Sequence, residues 1–372
     1  MLPQWFNKWN RENPTNIYGP AVAIGVVGGA VVVAALLVSW GQPYATDSLQ
    51  TGPRGTGMSV PEFETDLATP DPAIAGFLET TSAPIPPQGG EETAGEAREN
   101  VPPGLENLTV DNYDRLLTAM RAWTGIPDLF ADPASYQTAV GHTMIAMTQN
   151  INENWDAHVN ANKQVGVTCY TCHRGQPVPD NIWFRATPTV ETMEGWSAVQ
   201  NRVTPLSQYT SLPSDALEEY LVNYGVIAVH DLESRVENDI ANDPLIQQTE
   251  RTYSLMNYVS NSLGVNCLFC HNSRAFYPSS GQITPQWSTA NLGIQMVLEL
   301  NNEYLIPIEG LLPPERLGPV HGDAPKVACK TCHQGYQQPL QGTNVIGDWP
   351  ELATTTGEPV YEAAEDQAAL TE

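Results

Sequence analysis

Apolar residues along the 372-residue chain fall into contrasting patterns. The first is continuous. Ile17–Trp40 carries no charge, and the uncharged stretch runs from Asn13 to Thr46. About 20 residues cross a hydrocarbon core, so this segment is long enough to span one as a helix. A cleaved signal peptide is the rival reading. Against it, the apolar run exceeds the roughly 7–15 residues usual for such a peptide, and no A-x-A-like site follows cleanly. The second pattern is helical. Leu116, Leu117, Met120 and Trp123 recur at helix spacing within Asp111–Thr124, which Gly125 and Pro127 stop. Further helices are predicted over Ser135–Asn162, Pro244–Leu263 and Leu292–Tyr304. Residues 41–105 show neither period. They are rich in Pro, Gly, Thr and Glu, as in Ala83-Pro-Ile-Pro-Pro-Gln-Gly-Gly90, which predicts an extended tether with little core. Pro177–Asp243 is long and mixed and predicts little. With 31 prolines and no run of alternating strands, the fold class expected is mainly α, with long loops.

Charge orients the anchor. Lys8 and Arg11 precede it, Asp47 follows, and the next base is Arg54, so the N-terminus is placed in the cytoplasm and the remainder outside. Gly25-Val-Val-Gly28-Gly29 contains a G-x-x-x-G spacing, which suits either close packing on a partner's helix or a Gly-rich lipid face. The net charge of −26 argues against nucleic acid and anionic lipid surfaces as partners and suits a basic protein. Only part of it can form a docking face. Glu91, Glu92, Glu96 and Glu99 lie in the linker, and Glu358, Glu362, Glu365 and Asp366 in an acidic tail, where charge usually only solvates.

Three Cys-x-x-Cys-His motifs carry the chemistry: Cys169-Tyr-Thr-Cys172-His173, Cys267-Leu-Phe-Cys270-His271 and Cys329-Lys-Thr-Cys332-His333. Two thiols at this spacing can each form a thioether to a haem vinyl group, and the adjacent His reaches the iron. Zinc usually wants a second Cys/His pair at a distance instead. The motifs use all six cysteines, leaving none for a disulfide, a free thiol or a lipid anchor. Three covalently bound c-type haems are therefore expected. Helix, turn, Gly-Val-x-Cys recurs before Cys169 and Cys267 and reads as an internal repeat. The chain then divides into a cytoplasmic N-terminus (1–16), a transmembrane anchor (17–40), a periplasmic tether (41–105), a trihaem domain (106–352) and an acidic tail (353–372).

Each iron needs a distal ligand. The candidates are the eight methionines and His142, His158, His230 and His321. Met256 lies on the helix leading into Cys267, so its thioether can fold back over that haem; a core methionine is the alternative. Met144 and His158 share one predicted helix about 21 Å apart at 1.5 Å rise, too far to bind one iron. Met147 competes with Met144 one turn away, and His142 more weakly. His321 is eight residues before Cys329, and for both His321 and His230 an exposed loop residue is the alternative.

The stretches Met144-Ile-Ala-Met147-Thr, Ile151-Asn-Glu-Asn-Trp155-Asp-Ala-His158 and Gly166-Val-Thr-Cys-Tyr-Thr-Cys-His-Arg-Gly175 strongly resemble the cytochrome subunit of purple-bacterial photosynthetic reaction centres. So do Asn266-Cys-Leu-Phe-Cys-His-Asn272, Cys329-Lys-Thr-Cys-His-Gln-Gly335 and Asp348-Trp-Pro-Glu-Leu352, and the match covers roughly residues 108–352. That family usually carries four haems. The resemblance implies Met144 as distal ligand at Cys169/Cys172, Met256 at Cys267/Cys270 and His158 at Cys329/Cys332. The first site of the family is missing, with Met120 read as its relic. The resemblance further implies an electron carrier, not an enzyme, in the photosynthetic membrane. It would re-reduce the oxidised bacteriochlorophyll pair of the core subunits and accept electrons from a soluble periplasmic carrier such as a c-type cytochrome. The Cys267 haem would lie nearest the pigment, then Cys329, with Cys169 outermost. A multihaem quinol dehydrogenase, a haem reductase with an open iron, and a docking module whose haems serve as core are the rivals.

Overall fold

The computed structural model describes residues 3–14, 18–39, 47–50, 59–62, 70–186, 196–201, 203–227, 245–272, 276, 283–355 and 359–361. Of 18, 20, 38–39, 47–50, 59–62, 196–197 and 245–246 it describes the backbone alone. His230 and most of the acidic tail lie outside these residues. The chain forms two compact units, Met1–Leu49 with Pro61–Ala68, and Gln50–Val60 with Thr69–Glu372. The structure is mainly helical, with a single pair of four-residue strands, Asp47–Gln50 and Ser59–Glu62, among the described residues.

The first unit contains α1, Gln4–Glu12, and α2, Tyr18–Ser39. Along α2 the side chains of Val22, Ile24, Val26, Val27 and Leu37 are exposed. Among the described residues no helix is long and apolar enough to cross a membrane, the described side chains here running from Ala21 to Leu37. The helical backbone itself continues over 22 residues without a charged residue in its sequence.

In the second unit the helices appear close to where the apolar period predicts them. They are α3, Val110–Thr124; α4, Tyr136–Asn154; α5, Leu245–Leu263; and α6, Pro285–Glu299, which continues into a π-helical turn at Leu300–Leu305. The prediction over 135–162 runs too far. Helix α4 stops at Trp155, and His158 sits on a separate turn, Asp156–Val159. Part of the expected tether is also core. Pro72–Leu78 is helical, and Phe77, Ala94 and Leu105 are buried in one cluster with Trp123, Tyr170 and Trp349. Trp123 donates to Thr80 Oγ1 at 2.7 Å and meets Trp349 edge-on at 4.8 Å between ring centres. Arg115 lies over Trp349, donates to the carbonyls of Ser82 and Asp348 and pairs with buried Glu351 at 2.5 Å. The low apolar content of residues 70–105 hides this, because backbone carbonyls and a few rings make the contacts.

The second unit is built twice. Helix α3 ends at Gly125 and α5 at Gly264, each with positive φ, and a Cβ on either would collide with a carbonyl oxygen, of Gly175 and Gly335 respectively. Gly175 N–H donates to Trp123 O and Gly335 N–H to Ser262 O, both at 2.8 Å. Helices α4 and α6 correspond likewise. The amide of Asn152 grips Val167 through both its N–H (2.7 Å) and its carbonyl (2.8 Å). Asn301 grips Val327 in the same way at 2.9 and 3.0 Å. Each amide also donates to a distant carbonyl, of Leu352 for Asn152 and of Leu221 for Asn301. The repeat thus pairs Cys169 with Cys329, rather than with Cys267 as the Gly-Val-x-Cys pattern suggests.

Both asparagines are buried, so truncation leaves main-chain groups without partners at about 1–3 kcal/mol each. Asn152→Ala and Asn301→Ala are each expected to cost roughly 3 kcal/mol in denaturant unfolding of the intact protein. A loss below about 0.5 kcal/mol for either would remove its role as a clamp.

Candidate functional site

Each clamp holds the residue two positions before a Cys-x-x-Cys-His motif, so the motif helices start from fixed backbone. Cys169–His173 and Cys329–His333 are single helical turns. Thr171 and Thr331 hydroxyls accept the N–H of Thr168 and Ala328, at 3.1 and 3.0 Å. Arg174 and Gln334 then enter the left-handed region and end the turns. Cys267–Phe269 is a 3-10 turn in which Asn266 accepts the N–H of Leu268.

All three motif histidines are oriented alike. Nδ1 of His173 donates to Gln176 O at 2.8 Å, that of His271 to Phe276 O at 2.9 Å, and that of His333 to Tyr336 O at 3.1 Å. His158 Nδ1 donates to Thr289 O at 2.9 Å. A carbonyl partner on Nδ1 fixes the tautomer and leaves Nε2 as the free donor atom, the usual arrangement behind a metal-bound imidazole. Burial lowers the pKa of all four, that of His333 to about 4 with His158 adding to the shift, so each is held in the neutral form that ligates. Burial pushes the Cys169 and Cys329 thiols up to about 11.

Two cavities adjoin these groups. One, of about 510 Å³, is lined by Met144, Met147, Cys169, Cys172 and His173, within the size range of small-molecule sites. The other, of about 160 Å³, is lined by His158, Cys329, Cys332 and His333. It is small for a haem, and the fit there rests on the imidazoles. The ring centres of His158 and His333 are 6.3 Å apart. Two metal–nitrogen bonds of about 2.0 Å, each extended by a ring radius near 1.1 Å, span about 6.2 Å. Met147, Ile151, Val167, Cys172 and Val327 line both cavities, so the two share a wall.

The sequence expectation of no disulfide is not met. The structure joins Cys172 to Cys332, their Cα atoms 4.8 Å apart. The physical reason is the duplicated architecture. Cys172 and Cys332 are corresponding residues, as are Asn150 and Glu299, which hydrogen-bond at 2.7 Å, and Met147 and Met296, which share one apolar cluster. Corresponding residues that meet lie on a local two-fold axis, and this one passes between the first and third motifs.

Other candidates fall elsewhere. Met256 is half-buried and packs against the cluster of Trp183, Leu217 and Tyr220. Cys267 is exposed, and residues 273–275 and 277–282 beside it are not among those described. His142 stacks on Phe130 and His321 reaches Ala186 O from the surface. Met120 is fully buried and lines the larger cavity. In the register set by Gly125 and Gly264, however, Met256 corresponds to Leu117, and Met120 to Val259. The same register sets Asp128-Leu-Phe-Ala-Asp132 against Cys267-Leu-Phe-Cys-His271. That shared Leu-Phe between changed ends was open to sequence reading and was missed.

The family described as "Photosynthetic reaction centre cytochrome C subunit" matches residues 41–353. The chain is 59% identical to the photosynthetic reaction center cytochrome c subunit of Roseobacter denitrificans, over 97% of this chain and all of that one. It is 36% identical to that of Rubrivivax gelatinosus, covering 89% of this chain and 90% of that one, and 34% identical to that of Thermochromatium tepidum, covering 88% and 80%. The likeness therefore begins well before residue 108, where the motif-based resemblance starts.

Proposed function

Because the chain belongs to the family of photosynthetic reaction centre cytochrome c subunits, we propose that it delivers electrons to the oxidised bacteriochlorophyll pair through three c-type haems, one on each Cys-x-x-Cys-His motif. Family membership itself implies covalent haem and association with the reaction centre in the photosynthetic membrane. Each group would supply one-electron transfer. Cys169 and Cys172, Cys267 and Cys270, and Cys329 and Cys332 would hold the three groups covalently, and His173, His271 and His333 would bind their irons. Met144, Met256 and His158 would be the second iron-binding residues, in that order of motif. In this reading Cys172 and Cys332 each carry a thioether in place of their mutual bond, since one sulfur cannot do both.

The observation that carries the proposal is the pair His158 and His333, with ring centres 6.3 Å apart and both Nδ1 atoms tied to carbonyls. Bringing two neutral imidazoles together beside Cys329 and Cys332 suits a shared metal-bound group. The common wall of the two cavities supports adjacent first and third sites. Asp128 and Asp132 standing where the second motif has Cys and His support three sites rather than four. Met ligation raises potential relative to bis-His, so the His158 site is the low one. Helix α2, about 33 Å long at 1.5 Å per residue, serves as a retained single-pass anchor with the N-terminus cytoplasmic and the haem domain periplasmic. Electrons arrive from a soluble, basic periplasmic carrier at or near the Cys169 site.

Peptide mass spectrometry of the purified protein is expected to find one haem on each of the three motif peptides. Recovery of Cys172 disulfide-bonded to Cys332 would show that those sulfurs are not thioethers. In membranes under redox poise, a flash is expected to oxidise haem with the kinetics of pigment re-reduction, and the titration to resolve three haems with the His158-dependent one lowest. No haem response to the flash would move the partner away from the reaction centre, with quinol-linked respiration the next reading.

A further inference from the structure

The two halves share their scaffold, yet one position on the facing helices differs in a way that decides chemistry. The correspondence that equates Asn152 with Asn301, Met147 with Met296 and Asn150 with Glu299 equates Met144 with Gly293. The caps of the two helices fit the same register, Ser135 with Thr284. Met144 lines the cavity of the first motif. Gly293 lines the cavity of the third. At Gly293 a Cβ would stand 2.5 Å from Cε1 of His158 and 3.1 Å from both of its ring nitrogens. The imidazole thus occupies the space that a side chain at 293 would take, and its Nδ1 is held by Thr289 O on the same helix one turn earlier. Helix α6 is otherwise ordinary at this point. Gly293 itself is buried, and a glycine in a helix interior costs about 1 kcal/mol relative to alanine.

We propose that Gly293 is a vacated distal-ligand position, and that its missing side chain determines bis-His ligation at the Cys329/Cys332 site. The inference rests on His158 being the distal ligand there. Gly293 acts through His158 and is a positioning residue, not a ligand. A side chain at 293 would either displace the imidazole or, if it were methionine, present a thioether along the line that Met144 takes in the other half. Removing that side chain opens a groove on α6 into which the turn Asp156–Val159 inserts. The electrochemical asymmetry of two equivalent sites would follow from this one residue.

The test uses the full, haem-loaded protein in detergent. His158→Ala alone is expected to make one of three haems bind carbon monoxide, with loss of the bis-His electron paramagnetic signal. Adding Gly293→Met to that variant is expected to abolish carbon monoxide binding. It should also raise the Met–iron charge-transfer absorbance about 1.5-fold over wild type and turn the lowest-potential haem into a high-potential one. Gly293→Ala, a gentler change, is expected to weaken the bis-His signal while leaving three haems attached. If the double variant keeps three haems and still binds carbon monoxide with no added Met–iron absorbance, position 293 is not a vacated ligand site. If His158→Ala leaves every haem six-coordinate and the bis-His signal intact, the ligand assignment itself fails and the inference falls with it.

Discussion

Two buried side-chain amides hold the haem-binding unit in register. Asn152 and Asn301 each satisfy the N–H and C=O of a residue just upstream of a motif, and each spends its remaining donor on a carbonyl far along the chain. A helical turn of five residues cannot aim a histidine by itself. It inherits its direction from the backbone that enters it, and these amides fix that entry. In the first and third motifs the internal threonine and the glycine that follows complete the frame, so Nδ1 meets its carbonyl. Leaving any of these buried groups unpaired costs more than a surface contact returns, which makes the arrangement stiff where ligand geometry matters.

The same frame used twice does not produce equal sites. The halves share helix caps, clamps and collision-close glycines, and they meet through corresponding residues at Cys172 and Cys332. They differ in what lines the cavities. Met144 lines one; in the other, Gly293 leaves the space beside it to His158 from the opposite half. The second motif shows a further asymmetry, because its counterpart ends in aspartates at 128 and 132. Around that counterpart Leu129 and Phe130 are buried in the aromatic core that also contains Phe77, Trp123 and Trp349. Leu129 and Phe130 also line the larger cavity from that side.

Sequence reading recovered the parts that are local. Motif spacing and the period of Leu116, Leu117, Met120 and Trp123 follow from short-range geometry, whereas the single helix expected to carry both Met144 and His158 breaks before His158. It placed α3 and α5 to within a residue at their starts. It missed the core role of residues 70–105, because Asp71, Thr80 and Ser82 act through hydrogen bonds to Gln341, Trp123 and Arg115, which no periodicity announces. It also chose the wrong repeat. Gly-Val-x-Cys is the louder signal, yet it joins Cys169 to Cys267. The true correspondence lies in scattered single residues whose offset shifts between helix and motif: Met147 with Met296 and Asn152 with Asn301 on the helices, Val167 with Val327 before the motifs. Gly293 gives no sign of its importance until His158 is seen beside it.

The aromatic core joins both ends of the haem-binding unit. Asp71 bonds Gln341, Ser82 and Asp348 share Arg115, and Trp123 lies against Trp349. Contacts of such separation form slowly, because long loops must close before any of them stabilises the chain. The cluster cannot close until residue 352 has been synthesised. By then the first two motifs already lie on an open chain, where the Cys169 thiol is free of the burial that raises it to about 11 in the folded unit. Late closure leaves a broad interval in which bulky groups can be fixed to the polypeptide before packing seals them in.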